Sequence, residues 1–278
     1  MPIRLSEFGL VHRHELSGAL HGLMRVRSFT QDDAHIFCLP SQVEDEIKKM
    51  VKLADYMYKT FGFKYTVELS TRPEDFMGEI ETWNIAEEAL ENALHDMDID
   101  FKLNEGDGAF YGPKIDFHIE DAIGRTWQCG TIQLDFQMPE NFDLVYVDEN
   151  NERKRPVMLH RAIFGSIERF MGVLIEHLAG KFPLWLAPVQ VEVIPVSEKT
   201  NEYAKEVYDT LKENGIRVHL DSRDAKMGAK IREAQLKKIN YMLILGENEK
   251  ENKSISIRKR NGENVNDADL NSFIEDLH

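Results

Sequence analysis

Between residues 7 and 37 the sequence reads EFGLVHRHELSGALHGLMRVRSFTQDDAHIF, and it holds two segments that read as strands. No other stretch constrains the fold as much, because it places Arg13, Arg25 and Arg27 near Glu15, Phe29, Asp33 and His35. Guanidinium groups fork onto phosphate oxygens, and an aromatic ring stacks on a base, so this combination suits a purine nucleoside triphosphate.

A chain of 278 residues can bury a substantial core and suggests one large or two ordinary domains, of which two is the expectation. No run of eighteen apolar residues occurs, and Met1-Pro2-Ile3-Arg4 leads into strand-like sequence without a signal peptide. A cytoplasmic protein with no membrane partner is therefore expected. Cys38 and Cys129 are too few and too far apart for a disulfide framework or a self-contained zinc module, and read as buried thiols. The formal net charge of −15 argues against an overall electrostatic grip on nucleic acid. Residues 217–260, however, carry twelve Lys or Arg against six Asp or Glu, a local excess of +6.

Ser41 with Glu44 reads as a capping box that opens a helix, and Gly62 as its stop. Val43, Ile47, Met50, Val51, Ala54, Met57, Tyr58 and Phe61 fall at helical spacing and predict one apolar face for packing on a sheet. Residues 64–70 alternate as a strand, and residues 79–97 read as a second helix with Trp83, Ala86, Leu90 and Leu94 inward. Residues 106–136 hold two alternating runs joined around residues 121–124, a hairpin. The glycines at 106, 108, 112 and 130 leave room for a ligand to approach the backbone, although turn geometry explains most of them. A strand over residues 157–162 leads into a helix expected to bury Ile163, Ile167, Phe170, Met171, Leu174, Ile175 and Leu178. Two prolines within residues 182–188 separate two periodic regions and place a domain boundary there. Beyond it, strands at 189–194, 216–220, 241–245 and 254–258 and helices at 200–214 and 229–239 predict a mixed α/β module.

The core Val11-His12-Arg13-His14-Glu15 resembles motif 2 of the class II aminoacyl-tRNA synthetases. Gln31-Asp32-Asp33-Ala34-His35-Ile36-Phe37 is similar to the segment in which the threonyl-tRNA synthetases place a zinc-ligand histidine. The resemblance continues through Tyr111-Gly112-Pro113-Lys114 and Gln128-Cys129-Gly130-Thr131-Ile132-Gln133, strands that in the family form part of the floor of the amino-acid and adenylate pocket. Val157-Met158-Leu159-His160-Arg161-Ala162, with Glu168 and Arg169 on the helix after it, resembles motif 3. Gly215-Ile216-Arg217-Val218 and residues 228–232 resemble the anticodon-binding domain shared by several of these enzymes.

The resemblance implies an α+β fold: a class II synthetase-like antiparallel sheet with helices over residues 1–184, incomplete at its N-terminus, then a smaller mixed α/β anticodon-binding domain over residues 185–278. It implies ATP-dependent activation of L-threonine to the adenylate and transfer to tRNA(Thr). Arg13 then contacts the α-phosphate and the substrate carboxylate, Glu15 the adenine amino group, Arg25 the outer phosphates, and Phe29 stacks on the base. Arg169 packs on adenine and reaches the γ-phosphate, while Gln128 and Thr131 complete the ATP site. Gln31, Asp33, Tyr111 and Gln133 line the amino-acid pocket, with Asp33 facing the amine. His35 and His160 hold Zn2+, and Mg2+ sits on the leaving phosphates; Glu249 and Arg258 lie where the family reads anticodon bases.

Each of these residues also has a plainer reading. A lone histidine near apolar residues is most often a hydrogen-bonded core residue, and polar alternation on strands is usually a wet sheet face. In the family the third zinc donor, a cysteine, and motif 1 lie upstream of motif 2, and neither Cys38 nor Cys129 matches that cysteine. Weak zinc binding and little or no threonine activation are therefore expected of this sequence alone, and homodimerisation is expected of the full-length family rather than of this sequence. The competing function is a non-catalytic RNA-binding or regulatory protein derived from a synthetase; a zinc hydrolase ranks third, because His35 and His160 do not form an HExxH pattern.

Overall fold

Strands β1 (Ile3–His12) and β2 (Ser28–Cys38) pair antiparallel over their whole length, Ile3 opposite Phe37 and His12 opposite Ser28. The computed structural model, which describes residues 1–278, continues with α1 (Val43–Thr60), β3 (Tyr65–Ser70), α2 (Ile80–Asp96) and β4 (Phe101–Asn104). Next come β5 (Lys114–Glu120), β6 (Thr126–Asp135), α3 (Gln137–Asn141), the small β7–β8 hairpin (Tyr146–Val147, Arg153–Lys154), β9 (Val157–Ser166) and α4 (Ile167–His177). Seven strands form one sheet in the order β1-β2-β9-β6-β5-β3-β4, antiparallel throughout except for the parallel β3–β4 edge. Chain contacts divide the protein into two units, Met1–His177 and Leu178–His278.

In the first unit one face of the sheet is covered and the other is polar. Ile115, Phe117 and Ile119 of β5 are fully buried, whereas Lys114, Asp116 and His118 alternate with them and point to the opposite face. Helix α1 packs on β6 and β9 and carries Ile47, Val51, Ala54 and Tyr58, all buried; Trp83, Ala86, Leu90 and Leu94 of α2 are buried as well. Gly62 ends α1 with φ +76°. The start of α1 differs from the expected capping box. A 3-10 turn over Pro40–Gln42 precedes it, and Gln42 rather than Ser41 closes the turn, its Oε1 accepting the Leu39 N–H at 3.0 Å.

Strand β9 extends to Ser166, so Ile163 belongs to the strand and not to the helix after it. Phe170, Val173 and Leu174 form the buried stripe of α4, while Met171 and Ile175 are exposed, against the expectation that both are core. Only one face of this short helix meets the sheet, and those two side chains lie off it. Nor does the glycine at 130 open the backbone to a ligand. A Cβ there would collide with the Tyr58 hydroxyl, so its missing side chain makes room for internal packing.

The second unit comprises β10 (Val191–Pro195), α5 (Asn201–Glu213), β11 (Val218–Leu220), α6 (Met227–Leu236), β12 (Tyr241–Leu245), α7 (Glu247–Asn252), β13 (Ile255–Lys259), β14 (Asn264–Ala268) and α8 (Leu270–Leu277). Its sheet runs β11-β10-β12-β13-β14, with β10 parallel to both neighbours and the last two strands antiparallel. Val191, Val193, Leu243 and Leu245 pack with Tyr203, Val207 and Leu211 of α5 and with Phe273 and Ile274 of α8. β14 and α8 are absent from the sequence reading: the polar run of β14 lacks apolar alternation, and only Asn261-Gly262, with Gly262 at φ +93°, signals its hairpin. No helix in the chain is long and apolar enough to cross a membrane.

The proline-containing segment read as a link is tied into the second unit. Arg217 donates from Nε to the Ala187 carbonyl at 2.7 Å and from Nη2 to those of Trp185 (2.9 Å) and Leu184 (3.1 Å), and Arg260 Nη1 donates to the Phe182 carbonyl at 2.7 Å. Protease access requires this backbone to open locally, so these hydrogen bonds should slow cleavage within the segment. Substituting Arg217→Ala removes three of these bonds and should raise the rate of limited proteolysis within residues 182–190 several-fold. Equal cleavage rates in the two proteins would contradict the tethering.

Candidate functional site

The site grows from strand register. His35 of β2 faces His160 of β9, which faces Gln133 of β6, which faces Lys114 of β5, so one row of polar side chains crosses four strands. The next row, two residues along, runs Asp33, Ala162, Thr131 and Asp116. Residues remote in sequence become neighbours because side chains repeat every second position on one face.

Beside these rows lies a cavity of about 150 Å³ lined by Arg13, Glu15, Arg25, Phe29, Gln31, Gln128, Thr131 and Arg169, so the structure gathers every expected nucleotide-contacting residue in one place. The Arg13 guanidinium lies 5.0 Å from the centre of the buried Phe29 ring. Arg25 Nε donates to Glu15 Oε2 at 3.1 Å. Arg27 serves the loop itself, donating to the Glu15 carbonyl at 3.0 Å and to Ser17 Oγ at 3.3 Å. Arg169 is held by two carbonyls, Met24 at 2.8 Å from Nε and Gln128 at 3.0 Å from Nη1, and lies 5.8 Å from the Trp127 ring. Four arginine or carboxylate groups around one aromatic ring suit an anionic ligand that carries a base.

The histidine row forms the second half. The His35 and His160 rings meet edge to face with centres 5.0 Å apart, and Tyr111 stands 5.8 Å from His160. Burial, and then the neighbouring His160, lowers the pKa of His35, which favours the neutral imidazole that metals bind. His160 Nε2 lies 2.8 Å from Oδ2 of the fully buried Asp135, whose Oδ1 accepts the N–H groups of Gln137 and Met138. Such a carboxylate orients a metal-binding imidazole. The two rings therefore fit as a pair of zinc donors, but no group of three His, Cys, Asp or Glu side chains in this chain is arranged to hold a metal. Cys38 faces Arg4 and Glu46, away from the histidines, and its thiol is pushed up to about 11 by burial and then Glu46; Cys129, beside the cavity, reaches about 12 through burial.

Gln31 Nε2 donates to Asp33 Oδ1 at 2.8 Å, and the Tyr111 hydroxyl donates to Gln133 Oε1 at 2.8 Å. Thr131 Oγ1 is buried without a hydrogen-bond partner, an atom that a ligand would satisfy. Sequence reasoning missed the buried acids on this face. Asp116 is buried and accepts from Lys114 Nζ (2.6 Å), Gln128 Nε2 (2.6 Å) and Ser70 Oγ (3.3 Å). Burial pulls the Lys114 pKa down, but Asp116 and Asp107 outweigh it and leave a cation beside the cavity. The two-residue spacing of Lys114 and Asp116, and of Thr131, Gln133 and Asp135, is the signal that places them on this face.

In the second unit Glu249 is occupied by its own fold: Oε2 accepts the Gly246 N–H at 2.8 Å and Oε1 accepts Ser256 Oγ at 2.7 Å. Arg258, two residues along β13 from Ser256, has a buried Nε with no partner.

Comparison with known proteins places this geometry. Residues 1–178 match the family described as the tRNA synthetase class II core domain (G, H, P, S and T), and residues 190–278 match the anticodon binding domain. The chain is 62% identical over 277 residues to a threonine–tRNA ligase of Finegoldia magna, a match that covers 100% of this chain and 44% of that protein. Among solved structures it is similar to the RNA binding domain of threonyl-tRNA synthetase from Cryptosporidium parvum, with 48% identity, TM-score 0.94, and coverage of 100% of this chain and 70% of the other. A putative threonyl-tRNA synthetase from Aeropyrum pernix is 33% identical with TM-score 0.81, over 100% of this chain and 68% of that one. The chain spans less than half the length of the curated relatives it matches.

The turn between β5 and β6 is held by one carboxylate. Asp121 is buried and accepts from Trp127 Nε1 (2.9 Å), from the Arg125 N–H (2.9 Å) and Nε (2.7 Å), and from the Ile123 N–H (3.0 Å). Burial alone would raise its pKa, but the Trp127 and Arg125 hydrogen bonds outweigh it and hold the carboxyl well below the usual range. The stabilisation from Asp121 is therefore full above the unfolded value of about 3.9 and is lost as pH falls from there toward the folded value. Asp121→Asn should lower the melting temperature at pH 7, and the gap to the wild type should narrow under acid. A gap that stays constant across this range would contradict the assignment.

Proposed function

We infer that this chain, which belongs to the class II tRNA synthetases and within them to the threonyl-tRNA synthetases, contributes the nucleotide pocket, two zinc donors and the anticodon-binding module of an L-threonine–tRNA(Thr) ligase. The observation that carries the reading is the single cavity in which Arg13, Arg25, Phe29 and Arg169 converge. Within this reading the modules divide near residue 184. The protein works in the cytoplasm.

In the first step a carboxylate oxygen of threonine attacks the α-phosphorus of ATP, and pyrophosphate leaves with its electron pair. In the second, the terminal ribose hydroxyl of tRNA attacks the threonyl carbonyl, loses its proton and displaces AMP. No protein nucleophile is needed, so the residues act by position and charge. Arg13 bridges the α-phosphate and the substrate carboxylate, Arg25 holds the outer phosphates, and Phe29 and Arg169 enclose the base, with Arg169 also reaching the γ-phosphate. Glu15 accepts from the adenine amino group. Gln128 and Thr131 complete the nucleotide site. Lys114, kept cationic by Asp116, adds positive charge near the reacting phosphate. Gln31, Asp33, Tyr111 and Gln133 form the amino-acid pocket, with Asp33 directed at the amine. Mg2+ travels with the phosphates and offsets their charge.

His35 and His160 are the residues that would hold zinc, with Asp135 orienting His160. When bound, zinc supplies coordination for both the amine and the hydroxyl of threonine, which valine cannot match. A third protein donor is needed for tight binding. Glu249 and Arg258 contribute to anticodon recognition; the unpartnered Arg258 Nε supports its part, while Glu249 acts through its hold on Gly246 and Ser256. Homodimerisation belongs to the longer protein, a reading supported by the sheet edge at β1, where Phe8 and Leu10 stand exposed.

The alternative, a non-catalytic RNA-binding derivative, is separated by nucleotide binding. The chain should bind MgATP, and Arg13→Ala or Arg169→Ala should each weaken binding by about ten- to a hundredfold, the loss of one charge-assisted hydrogen-bonded contact. Threonine-dependent pyrophosphate exchange should be slight in this chain and strong in a version extended upstream to include a third zinc donor. Absence of MgATP binding would favour the alternative, and strong exchange by the chain as it stands would refute the need for the third donor.

A further inference from the structure

Opposite β2, strand β9 contains an irregularity at the wall of the nucleotide pocket, which Ala162, Gly165 and Ser166 line. Ala162 faces Asp33 and Ser166 faces Gln31, so Ile163, Phe164 and Gly165 all stand against the single residue Asp32. Three backbone N–H groups in a sheet interior would lose their ladder acceptors, at a cost that native proteins avoid. Asp32 supplies the replacement. Its Oδ2 accepts the Ile163 N–H at 2.8 Å, and its Oδ1 accepts those of Phe164 at 3.0 Å and Gly165 at 2.9 Å. Arg161 Nη1 lies 3.5 Å from the same carboxylate, which is buried. On the other side of the bulge the Tyr58 hydroxyl donates to the Ile163 carbonyl at 2.5 Å. Gly165 takes φ +65°, and a Cβ on it would collide with the Cys129 carbonyl.

We infer that Asp32 is a positioning residue for nucleotide binding: by capping the three-residue bulge of β9 it sets where α4 begins and so where Arg169 enters the pocket. The inference rests on the reading of the cavity as an ATP site. Paired straight into the ladder, three residues would advance the chain by about 10 Å and carry Arg169 out of reach. Downstream of the bulge the helix start is locked to the same strand. Ser166 Oγ accepts the Arg169 N–H at 3.2 Å and contacts Glu168 Oε2 at 3.1 Å, while both Glu168 oxygens lie 3.0 Å from the Thr30 nitrogen. Arg169 then reaches the Met24 and Gln128 carbonyls. The neighbouring Asp33 faces the amino-acid pocket, so the adjacent acids divide their work, one toward each side of the sheet.

The test uses the 278-residue chain with Asp32→Asn, Arg169→Ala, the double variant and, as a control for plain destabilisation, Glu46→Gln. Glu46 is a buried carboxylate held by Arg4 and Lys49, and its hydrogen bonds go to those two side chains rather than to the bulge. Asn keeps the size of Asp but offers one acceptor in place of two. MgATP affinity measured by calorimetry should fall about tenfold in Asp32→Asn, and the double variant should bind no worse than Arg169→Ala, since coupled residues do not add. Glu46→Gln should melt earlier yet bind MgATP like the wild type. Without nucleotide, the Arg169 Hε resonance, protected in the wild type by its bond to Met24, should lose protection in Asp32→Asn while persisting in Glu46→Gln. Wild-type affinity and Hε protection in Asp32→Asn, or additive losses in the double variant, would overturn the inference. Failure of the wild type to bind MgATP would count against the ATP site alone, and the Hε measurement would still decide on Asp32.

Discussion

The pairing of β2 with β9 is the constraint on which the first unit depends. This one register sets His35 beside His160, puts Asp33 opposite Ala162, and leaves Asp32 facing the bulge. Side chains alternate along a strand, so a slip of one residue would send His35 and Asp33 to the helix-covered face and bring Ala34 and Ile36 into the polar one. Those two apolar residues are buried, and their burial resists the slip. At about 25 cal/mol per Å2 of apolar surface, exposing them would cost several kcal/mol. Packing on one face thus holds the chemistry on the other.

Charge in this unit is arranged by burial rather than by abundance. Asp32, Asp116 and Asp135 are each buried, and each is surrounded by donors: three backbone N–H groups, a lysine with a glutamine, and a histidine with a helix start. A buried carboxylate is tolerated only when its lone pairs are satisfied, so these acids hold backbone and side chains in place. Burial raises the Asp32 pKa despite the three N–H groups and Arg161, which marks how much solvation it has given up. The arginines, in contrast, are turned toward the cavity. An acidic chain therefore presents a cationic pocket.

Much of this was legible in the sequence, and the limits have physical causes. The apolar spacing of α1 and α2 and the alternation of β5 and β6 reflect burial on one side, which sequence periodicity reports directly. The arginines and Phe29 were found through motif resemblance, and the two histidines likewise; their 5.0 Å separation depends on pairing between strands far apart in sequence. Asp116, Asp135 and Asp32 were missed because the chain carries 49 Asp and Glu residues, and nothing local separates a buried acid from a solvated one. Asp32 is set apart only by the bulge it faces. Ser41 and Met171 failed differently: each had the right residue type, but a 3-10 turn and a narrow helix contact decided the outcome.

The most direct measurement is a crystal structure of the chain with a non-hydrolysable ATP analogue and Mg2+. The account predicts the base between Phe29 and Arg169, the phosphates on Arg13 and Arg25, and the carbonyls of Met24 and Gln128 still bonded to Arg169. A nucleotide seated elsewhere, or one bound in this cavity with Arg169 displaced from its base, would contradict it.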